Sequence, residues 1–305
     1  MSIEAKPLRV VSVSLGSSKR DHVATVEYLG RTVQIERRGT DGDMQRAIDV
    51  IGELDGTIDA IGLGGIDLYL IADGKKYVIR DALRMAQAAK TTPVVDGSGL
   101  KHTLERQTLL RLQEEGAIDF HGKKVLLVSG VDRFGMAEVL PELGAITRFG
   151  DLIFALGIPI AINSLGGLRV LARTLLPIIT RLPFTLIYPT GEKQDVTVSK
   201  YDAHFNWADI IAGDFLFIRR YMPARMDGKI IVTNTTTAQD VELMRQRGVS
   251  MLVSTTPELG GRSFGTNVME GVIVALLGKR PEEMTPQDYL DCLERLGWQP
   301  RVTRL

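Results

Sequence analysis

The sequence predicts an α/β protein built from an N-terminal α/β domain, residues 1–120, and a Rossmann-like doubly wound parallel-sheet domain, residues 121–305. The first observation behind this prediction is the alternation of short apolar runs with helical patterns, which is typical of βαβ units. The second is the apolar run 125–128, which passes through a glycine turn into a helix, as a central parallel strand does. The third is the short, polar, glycine-ended loop 116–122, which favours a domain boundary there.

In the first half, strands at 22–28 and 32–36 are joined by a short glycine-containing segment and predict an antiparallel hairpin or meander. The segment 41–54 has apolar residues at helical spacing and acidic residues in its first turn, where the helix dipole favours them. The remaining elements expected in this half are strands at 8–15, 58–63 and 92–95, a helix at 81–89 and a helix that ends near Glu115.

In the second half, six strands are expected, which fits the strand count of a doubly wound sheet. We predict these strands at 125–128, 145–149, 184–188, 207–214, 229–233 and 250–254, with C-terminal helices at 217–222, 238–247, 267–277 and 286–296. No internal repeat or low-complexity tract interrupts this order.

The composition restricts the classes of function. The chain has 37 basic and 37 acidic residues, and a net charge near zero argues against a nucleic-acid partner, which would require a basic surface. The single cysteine, Cys292, excludes a disulfide framework and a cysteine-based zinc cluster, and we expect it to pack in a core. The N-terminus lacks the apolar core of a signal peptide, so a cytoplasmic protein is the simplest expectation. No metal site is expected.

An apolar region at 152–182 qualifies this expectation, since no charged residue occurs from Leu152 to Leu168. A membrane-spanning helix needs roughly 20 apolar residues, and Pro159 and Arg169 interrupt the run too early. The region predicts a buried helix pair, with a subunit interface or attachment to a membrane surface as alternatives. We also expect a homo-oligomer, and we do not expect membrane association.

The glycine turn after the run 125–128 has the spacing of a dinucleotide-binding fingerprint, but Asp132 stands where a second glycine would allow close approach of a pyrophosphate. Asp151 follows the next predicted strand, about twenty residues on, where a carboxylate would accept hydrogen bonds from a ribose diol and favour NAD over NADP. The alternative for Asp151 is a turn or helix N-cap. The candidate cofactor-binding residues of this region are Ser129, Gly130, Asp132, Arg133, Gly135 and Asp151.

Ligands of open parallel sheets bind beyond the carboxyl ends of the strands. Two polar loops that follow the last two predicted strands therefore also predict a site, although hydroxyl groups at a helix start can simply cap the helix. Arg262 is a candidate for holding a carboxylate or phosphate bidentately. The loops supply Thr233, Asn234 and Thr235 as candidate cofactor-binding residues and Arg262, Ser263 and Asn267 as candidate substrate-binding residues, and polar segments of the first half add Ser14 and Asp67.

The segment 96–106 is dense in ionisable residues and lies between a strand and a helix that leads to the second half. Lys101 or His102 together with Asp96 predicts a proton-transfer group, because the pKa of lysine and histidine can be tuned towards neutrality. The alternative is an ordinary helix start, with Ser98 as its cap and Lys101 in solvent.

The arrangement resembles the shikimate and quinate 5-dehydrogenase-like family, in which an α/β substrate domain precedes a Rossmann domain. The stretches 124–144 and 96–112 carry the resemblance, and 208–212 is similar to a later strand of that family. The resemblance implies NAD(P)-linked oxidation of a ring hydroxyl, with a lysine and an aspartate sharing the proton transfer. Asp96 matches that aspartate by position, whereas Lys101 is assigned on its chemistry.

A more distant resemblance, carried by 63–65 and 97–107, is to acyl-carrier-protein reductases, but those enzymes use a cysteine nucleophile that this chain lacks near the site. The leading hypothesis is therefore an NAD(P)-dependent oxidoreductase that acts on a small hydroxy or keto acid. The alternative is a non-redox enzyme or ligand-binding sensor that has lost dinucleotide binding because of Asp132. A structural partner protein that assembles through 152–182 is a third possibility.

Overall fold

The computed structural model describes residues 6–183, 200–256, 258–259, 262–263 and 265–305, so the strand predicted at 184–188 lies outside the described residues. The first half forms a five-stranded sheet in the order β2-β3-β1-β4-β7. All neighbouring strands are parallel except β2 and β3, which form the predicted antiparallel hairpin. The strands are β1 Leu8–Ser14, β2 His22–Tyr28, β3 Arg31–Gly39, β4 Ala60–Gly64 and β7 Val94–Val95, with a separate hairpin of β5 Tyr69–Ala72 and β6 Lys75–Val78.

The second half forms a six-stranded sheet in the order β15-β12-β11-β10-β8-β9. The chain leaves β8 towards β9 on one side and then crosses to β10, β11 and β12 on the other, so the sheet is doubly wound. The predicted fold class, a Rossmann-like parallel sheet after an α/β half, is confirmed. The strands are β8 Lys124–Leu127, β9 Ile146–Phe149, β10 Ile210–Gly213, β11 Ile230–Thr233, β12 Met251–Ser254 and β15 Arg301–Arg304, and a small hairpin adds β13 Glu258–Leu259 and β14 Arg262–Ser263.

Helices connect these strands and cover their faces. In chain order they are α1 Met44–Leu54, α2 Arg80–Ala86, α3 Ser98–Glu114, α4 Phe134–Glu142, α5 Asp151–Phe154, α6 Leu165–Ile179, α7 Asp202–Trp207, α8 Phe215–Tyr221, α9 Ala238–Gln246, α10 Thr266–Leu277 and α11 Pro286–Arg295. None of the helices within the described residues is both long enough and apolar enough to cross a membrane.

The sheet differs from the sequence prediction at two places. The antiparallel edge strand β15 is absent from the sequence prediction, because its four residues, Arg-Val-Thr-Arg, are mostly exposed and give no buried apolar run. The strand predicted from Trp207 begins later, since the preceding residues form α7, which buries Phe205 in the core. Trp207 instead stacks on Arg148, whose guanidinium carbon lies 3.8 Å from the indole centroid.

The apolar region forms α5 and the longer helix α6. One face of α6 is buried through Leu168, Ala172 and Leu176, whereas Val170 and Ile178 on the opposite face are 62% and 61% exposed. Buried apolar residues at intervals of four are typical of a helix that packs on a core with one face only.

Helices from the end of the chain return to the first sheet. α10 packs on β1 and β4, and α11 packs on α3, so Val272 and Cys292 share a core with Val10 and Leu100. Cys292 is buried there, as predicted. The domain boundary at 116–122 stays a prediction.

Glu270 of α10 stabilises the contact between α10 and the start of α3, named here the α3–α10 joint. Its carboxylate accepts hydrogen bonds from the backbone N–H of Gly97 at 2.6 Å and from the hydroxyl of Tyr289 at 2.6 Å. Gly97 has φ +92°, and a Cβ atom there would lie 2.6 Å from the backbone nitrogen of Asn267, so only glycine fits. The joint holds the N-terminus of α3 against α10.

Burial, together with the nearby carboxyl of Asp96, raises the pKa of Glu270 to about 7, and the hydrogen bonds from Tyr289 and Gly97 oppose this rise. The folded state therefore binds a proton that the unfolded state releases near pH 4.5, and the free energy of unfolding should fall as pH rises from about 4.5 to 7. For this group the fall is at most about 1.4 kcal/mol per pH unit. We predict that Glu270→Gln makes the fall shallower, as measured by urea unfolding at pH 5 and pH 8.

The control is Glu294→Gln, which removes an exposed carboxylate from α11 and should leave the slope unchanged. A Glu270→Gln protein that lost as much stability between the two pH values as the unaltered protein would contradict the assignment.

Candidate functional site

The carboxyl ends of the parallel strands of both sheets face one cleft. It encloses a cavity of about 370 Å³, within the range of small-molecule sites. Segments that follow β4, β7, β8, β9, β10 and β11 line it. The predicted site residues that line the cleft are Asp67, Asp96, Lys101, Ser129, Asp132, Arg133, Asp151, Asn234, Thr235 and Asn267.

Lys101 lies at the polar end of this cleft, in the first turns of α3. Its side chain is nearly buried, and its Nζ donates to Asp67 Oδ1 at 2.9 Å and to Asp132 Oδ1 at 3.0 Å. Burial by itself would lower the pKa of Lys101, but the carboxylates of Asp132 and Asp67 together raise it above its usual value. Lys101 is therefore a fixed ammonium held between two carboxylates.

Asp132, the residue at the middle of the glycine turn, is the titratable partner of this group. Burial raises the pKa of Asp132 to about 7, and the charges of Asp67 and Asp214 add to the rise while Lys101 opposes it. A carboxyl group with such a pKa can exchange a proton at neutral pH. The group formed by Lys101, Asp67 and Asp132, named here the ammonium–carboxylate triad, can therefore hold or release one proton near pH 7.

Arg133 connects the glycine turn to two neighbouring elements. Its guanidinium is buried and forms ion pairs with Glu105 of α3 and, at 2.8 Å, with Asp214 at the end of β10. Asp214 also accepts a hydrogen bond from the amide of Asn234 at 3.2 Å. These contacts link the ends of β8, β10 and β11 to the helix that carries Lys101. The two carboxylates compensate the charge of the buried arginine. Removal of either carboxylate would leave part of that charge uncompensated.

Asp151 is the first residue of α5, directly after β9. Its carboxylate accepts hydrogen bonds from the backbone N–H groups of Gly130 at 3.1 Å and Val131 at 2.8 Å. Burial raises the pKa of Asp151 to about 6, against these two hydrogen bonds, so the group is ionised at neutral pH. Two oxygens offer about four acceptor sites, and acceptor capacity therefore remains for further donors.

Asp96 occupies a different position from the one its predicted role requires. Its carboxylate accepts hydrogen bonds from the backbone N–H groups of Leu68 at 2.5 Å, Tyr69 at 2.9 Å and Ser98 at 3.0 Å. Burial raises the pKa of Asp96, and the charge of Asp67 adds to the rise. The structure thus pairs Lys101 with Asp67 and Asp132 rather than with Asp96, because the backbone of the loop that carries Asp67 occupies the Asp96 oxygens.

Several other predicted residues lie beside the cleft. His102 is not among the residues that line the cleft, and burial lowers the pKa of its imidazole, with the charge of Glu138 opposing the shift and that of Arg106 adding to it. The hydroxyl of Ser14 accepts hydrogen bonds from Gly16 N–H and the Arg37 guanidinium, and it supports the end of β1. These side chains shape the fold around the site.

The packing around the turn accounts for the two glycines predicted there. A Cβ atom at Gly135 would collide with the carbonyl oxygen of His102, so this glycine lets α3 and α4 meet. A Cβ atom at Gly130 would lie 3.0 Å from Phe149 and Leu168 side-chain atoms. Thr233 donates its hydroxyl hydrogen bond to the Gly213 carbonyl at 2.7 Å and joins β11 to β10.

Arg262 and Ser263 form β14, whose backbone pairs with β13. Their side chains lie outside the described part of the structure, so the predicted carboxylate anchor at Arg262 stays a prediction. Among the residues that the structure describes, no group of three or more histidine, cysteine, aspartate or glutamate side chains is arranged to hold a metal ion.

Sequence reasoning missed Glu105 and Asp214. Glu105 lies four residues after Lys101 in α3, and this spacing places both side chains on one face of a helix. Asp214 directly follows the apolar strand β10, so the rule that sites gather at strand ends would have found it.

Known structures resemble the chain only distantly. A hetero-hexameric glutamate dehydrogenase from Thermus thermophilus is 11% identical, with 95% of this chain and 73% of that chain covered and a TM-score of 0.42. An NAD-dependent malic enzyme from Thermotoga maritima is 14% identical, with 95% and 84% covered and a TM-score of 0.36. A glucose-galactose binding protein from Geobacillus stearothermophilus is 8% identical, with 98% of each chain covered and a TM-score of 0.39. At such scores these likenesses carry no argument, and the fold rests on the strand order above.

Family models match the sequence more directly. No curated protein matches it. Residues 9–96 match the model described as Domain of unknown function (DUF8753). Residues 99–305, which include Lys101, the glycine turn and the whole second sheet, match the model described as Domain of unknown function (DUF8754). Since this second match spans more than half of the chain, the chain belongs to the DUF8754 family.

Proposed function

We propose that this protein is an NAD(P)-dependent oxidoreductase that interconverts a hydroxyl and a carbonyl group on a small molecule. The observation that carries the proposal is the ammonium–carboxylate triad, which lies in a cleft at the carboxyl edge of a Rossmann-like sheet. A buried group able to exchange a proton at neutral pH is what hydroxyl oxidation and carbonyl reduction require.

The residues of the cleft fit a dinucleotide at three points. The point where the strand order reverses, between β8 and β10, opens onto the cleft. The ionised carboxylate of Asp151 has acceptor capacity left for a ribose diol, and its charge would repel a 2′-phosphate, which favours NAD over NADP. Leu156, Leu216 and Phe217 add apolar side chains to the lining of the same cleft, as an adenine ring requires.

The chain's own residues would handle the proton. A bound nicotinamide supplies hydride transfer to or from the substrate carbon. During oxidation, the ammonium of Lys101 gives a proton to ionised Asp132 while the Lys101 nitrogen takes the proton of the substrate hydroxyl, whose O–H bond breaks. The electron pair of the substrate C–H bond leaves as hydride. The Asp132 carboxyl gains the O–H bond, so the charge of Lys101 is unchanged. Reduction uses the same groups in reverse, with Asp67 holding the ammonium in place.

A second candidate function is supported by the same turn. The N–H groups of Gly130 and Val131 already donate to Asp151, and Asp132 occupies the position at which a second glycine would admit a pyrophosphate. A protein that kept these contacts would bind a different ligand in the cleft, either as a non-redox enzyme or as a sensor.

A shikimate- or quinate-like ring hydroxyl is one substrate that the triad could serve. The hydroxy or keto acid that we expected would need an anion anchor such as Arg262. A homo-oligomer in the cytoplasm, without a nucleic-acid partner, remains the expected setting.

Cofactor binding separates the two candidates. We predict that NADH raises the melting temperature by several degrees, since saturation at a hundred times Kd stabilises a protein by about 2.7 kcal/mol. NADPH should give a smaller shift because of the Asp151 charge, and Asp151→Asn should narrow the difference between the two. Differential scanning fluorimetry measures both effects. Absence of any shift at millimolar NADH and NADPH would favour the second candidate.

The triad is tested by its pH dependence. We expect the rate of alcohol oxidation with NAD to rise as pH increases through about 7, because ionised Asp132 is the proton acceptor. The reverse reduction should weaken over the same range, since it needs protonated Asp132. Initial rates of NADH formation with the best substrate from a panel of alcohols and hydroxy acids provide the profile.

Two variants complete this test. Lys101→Met should lower kcat/KM by roughly 10²–10⁴-fold while NADH still shifts the melting temperature, whereas Lys75→Met, an exposed lysine of β6, serves as the matched control. Asp132→Asn should remove the rise near pH 7. A Lys101→Met protein that oxidised its substrate normally would exclude the triad from the reaction.

A further inference from the structure

The cleft has an apolar lobe beside the triad that the proposed proton transfer does not use. Along α6, the side chains of Leu171, Leu175 and Ile179 line the cleft at intervals of four residues. This spacing places them on one helical face. They are half-buried, in contrast to Val170 and Ile178 of the same helix, which face outward.

The opposite wall of the lobe comes from the first half of the chain. Ile66 and Leu70 flank Asp67 and line the same cleft. Both walls are fastened together, because Arg169 of α6 pairs with Asp73 of the hairpin turn at 3.1 Å and the N–H of Arg80 donates to the carbonyl of Thr180 at 3.0 Å. Residues from both halves of the chain thus enclose the lobe, and Lys101 and Asp67 lie at its end.

The charges at this end disfavour an anionic ligand. Among the described residues, the carboxyl groups of Asp67, Asp96 and Asp132 line this end of the cleft. Arg133 also lines it, 3.8 Å from Asp132, but its guanidinium is already paired with Glu105 and Asp214. Lys101 lies between Asp67 and Asp132. Its ammonium already donates to two of these carboxylates. A substrate carboxylate placed here would meet more negative than positive charge in a site of low dielectric constant, which is costly.

We propose that the substrate is an uncharged secondary alcohol or its ketone with an apolar alkyl or aryl group. The apolar group packs between α6 and the segment 66–70, and the oxygen meets Lys101. The choice of reacting group rests on the proposed function, whereas the choice of an apolar, uncharged ligand rests on the lobe alone. This class replaces the small hydroxy acid that the sequence suggested.

The test uses a matched pair of probes, 1-phenylethanol and mandelate, which differ by a methyl group in place of a carboxylate. Isothermal titration calorimetry, without cofactor, should show 1-phenylethanol binding at least about tenfold more tightly than mandelate, a difference of about 1.4 kcal/mol. Leu175→Ser should weaken binding of 1-phenylethanol by about tenfold or more, since a truncated apolar contact costs about 10–200-fold. Leu175→Phe, which fills the lobe, should weaken it without adding polarity.

The control is Ile178→Ser, an exposed position on the same helix, which should bind 1-phenylethanol as the unaltered protein does. Tighter binding of mandelate, binding of neither probe, or equal losses in Ile178→Ser and Leu175→Ser would overturn the proposal. A melting shift with NADH but no binding of 1-phenylethanol would defeat this inference and leave the proposed function standing. Binding of 1-phenylethanol without an NADH shift would support the lobe and defeat the redox function.

Discussion

The site depends on the compensation of one buried positive charge. The ammonium of Lys101 is removed from water and is stabilised by Asp67 and Asp132, which approach it from opposite halves of the chain. An unpaired lysine in this position would lose its proton, and unpaired aspartates would gain protons. Each partner therefore sets the protonation state of the others. This coupling turns three ordinary side chains into a group that can exchange a proton near neutral pH.

The surrounding structure holds these three side chains in register. Asp96 ties the loop that carries Asp67 to the start of α3, and Glu270 ties the start of α3 to α10. Arg133 anchors the glycine turn that carries Asp132 to α3 and to the end of β10. Buried polar groups of this kind are hydrogen-bonded or paired. Because all of these contacts form together in only one arrangement of the side chains, they favour that arrangement. The site is thus a property of how the two sheets meet.

Much of the fold could be predicted from the sequence, because apolar runs and turn residues are local signals. The Rossmann-like order, the hairpin of β2 and β3 and the position of Asp151 after β9 all follow from such signals. The pairing within the site could not be predicted in this way. Lys101 is 34 residues from Asp67, and Gly97 is 173 residues from Glu270, so their contacts depend on tertiary packing.

The surface that the apolar region 152–182 covers also depends on tertiary packing. Its composition predicted burial, but only the helical phase of α6 decides which leucines face the cleft and which face outward. A one-sided apolar helix beside a charged group gives the cleft both a proton-transfer end and an apolar lobe. The amino-acid pattern alone does not reveal which surface the apolar face of α6 covers.

The central claim is that Lys101 stays charged while Asp132 takes and releases the proton. Carbon-13 NMR of the aspartate carboxyl groups and of the lysine Cε, recorded from pH 4 to pH 10, measures both groups in one titration. We predict that the Asp132 carboxyl titrates at about 7 and that Lys101 remains protonated over the whole range. An Asp132 carboxyl that titrated near its ordinary value of 3.8, or a Lys101 that lost its proton below pH 9, would contradict this account.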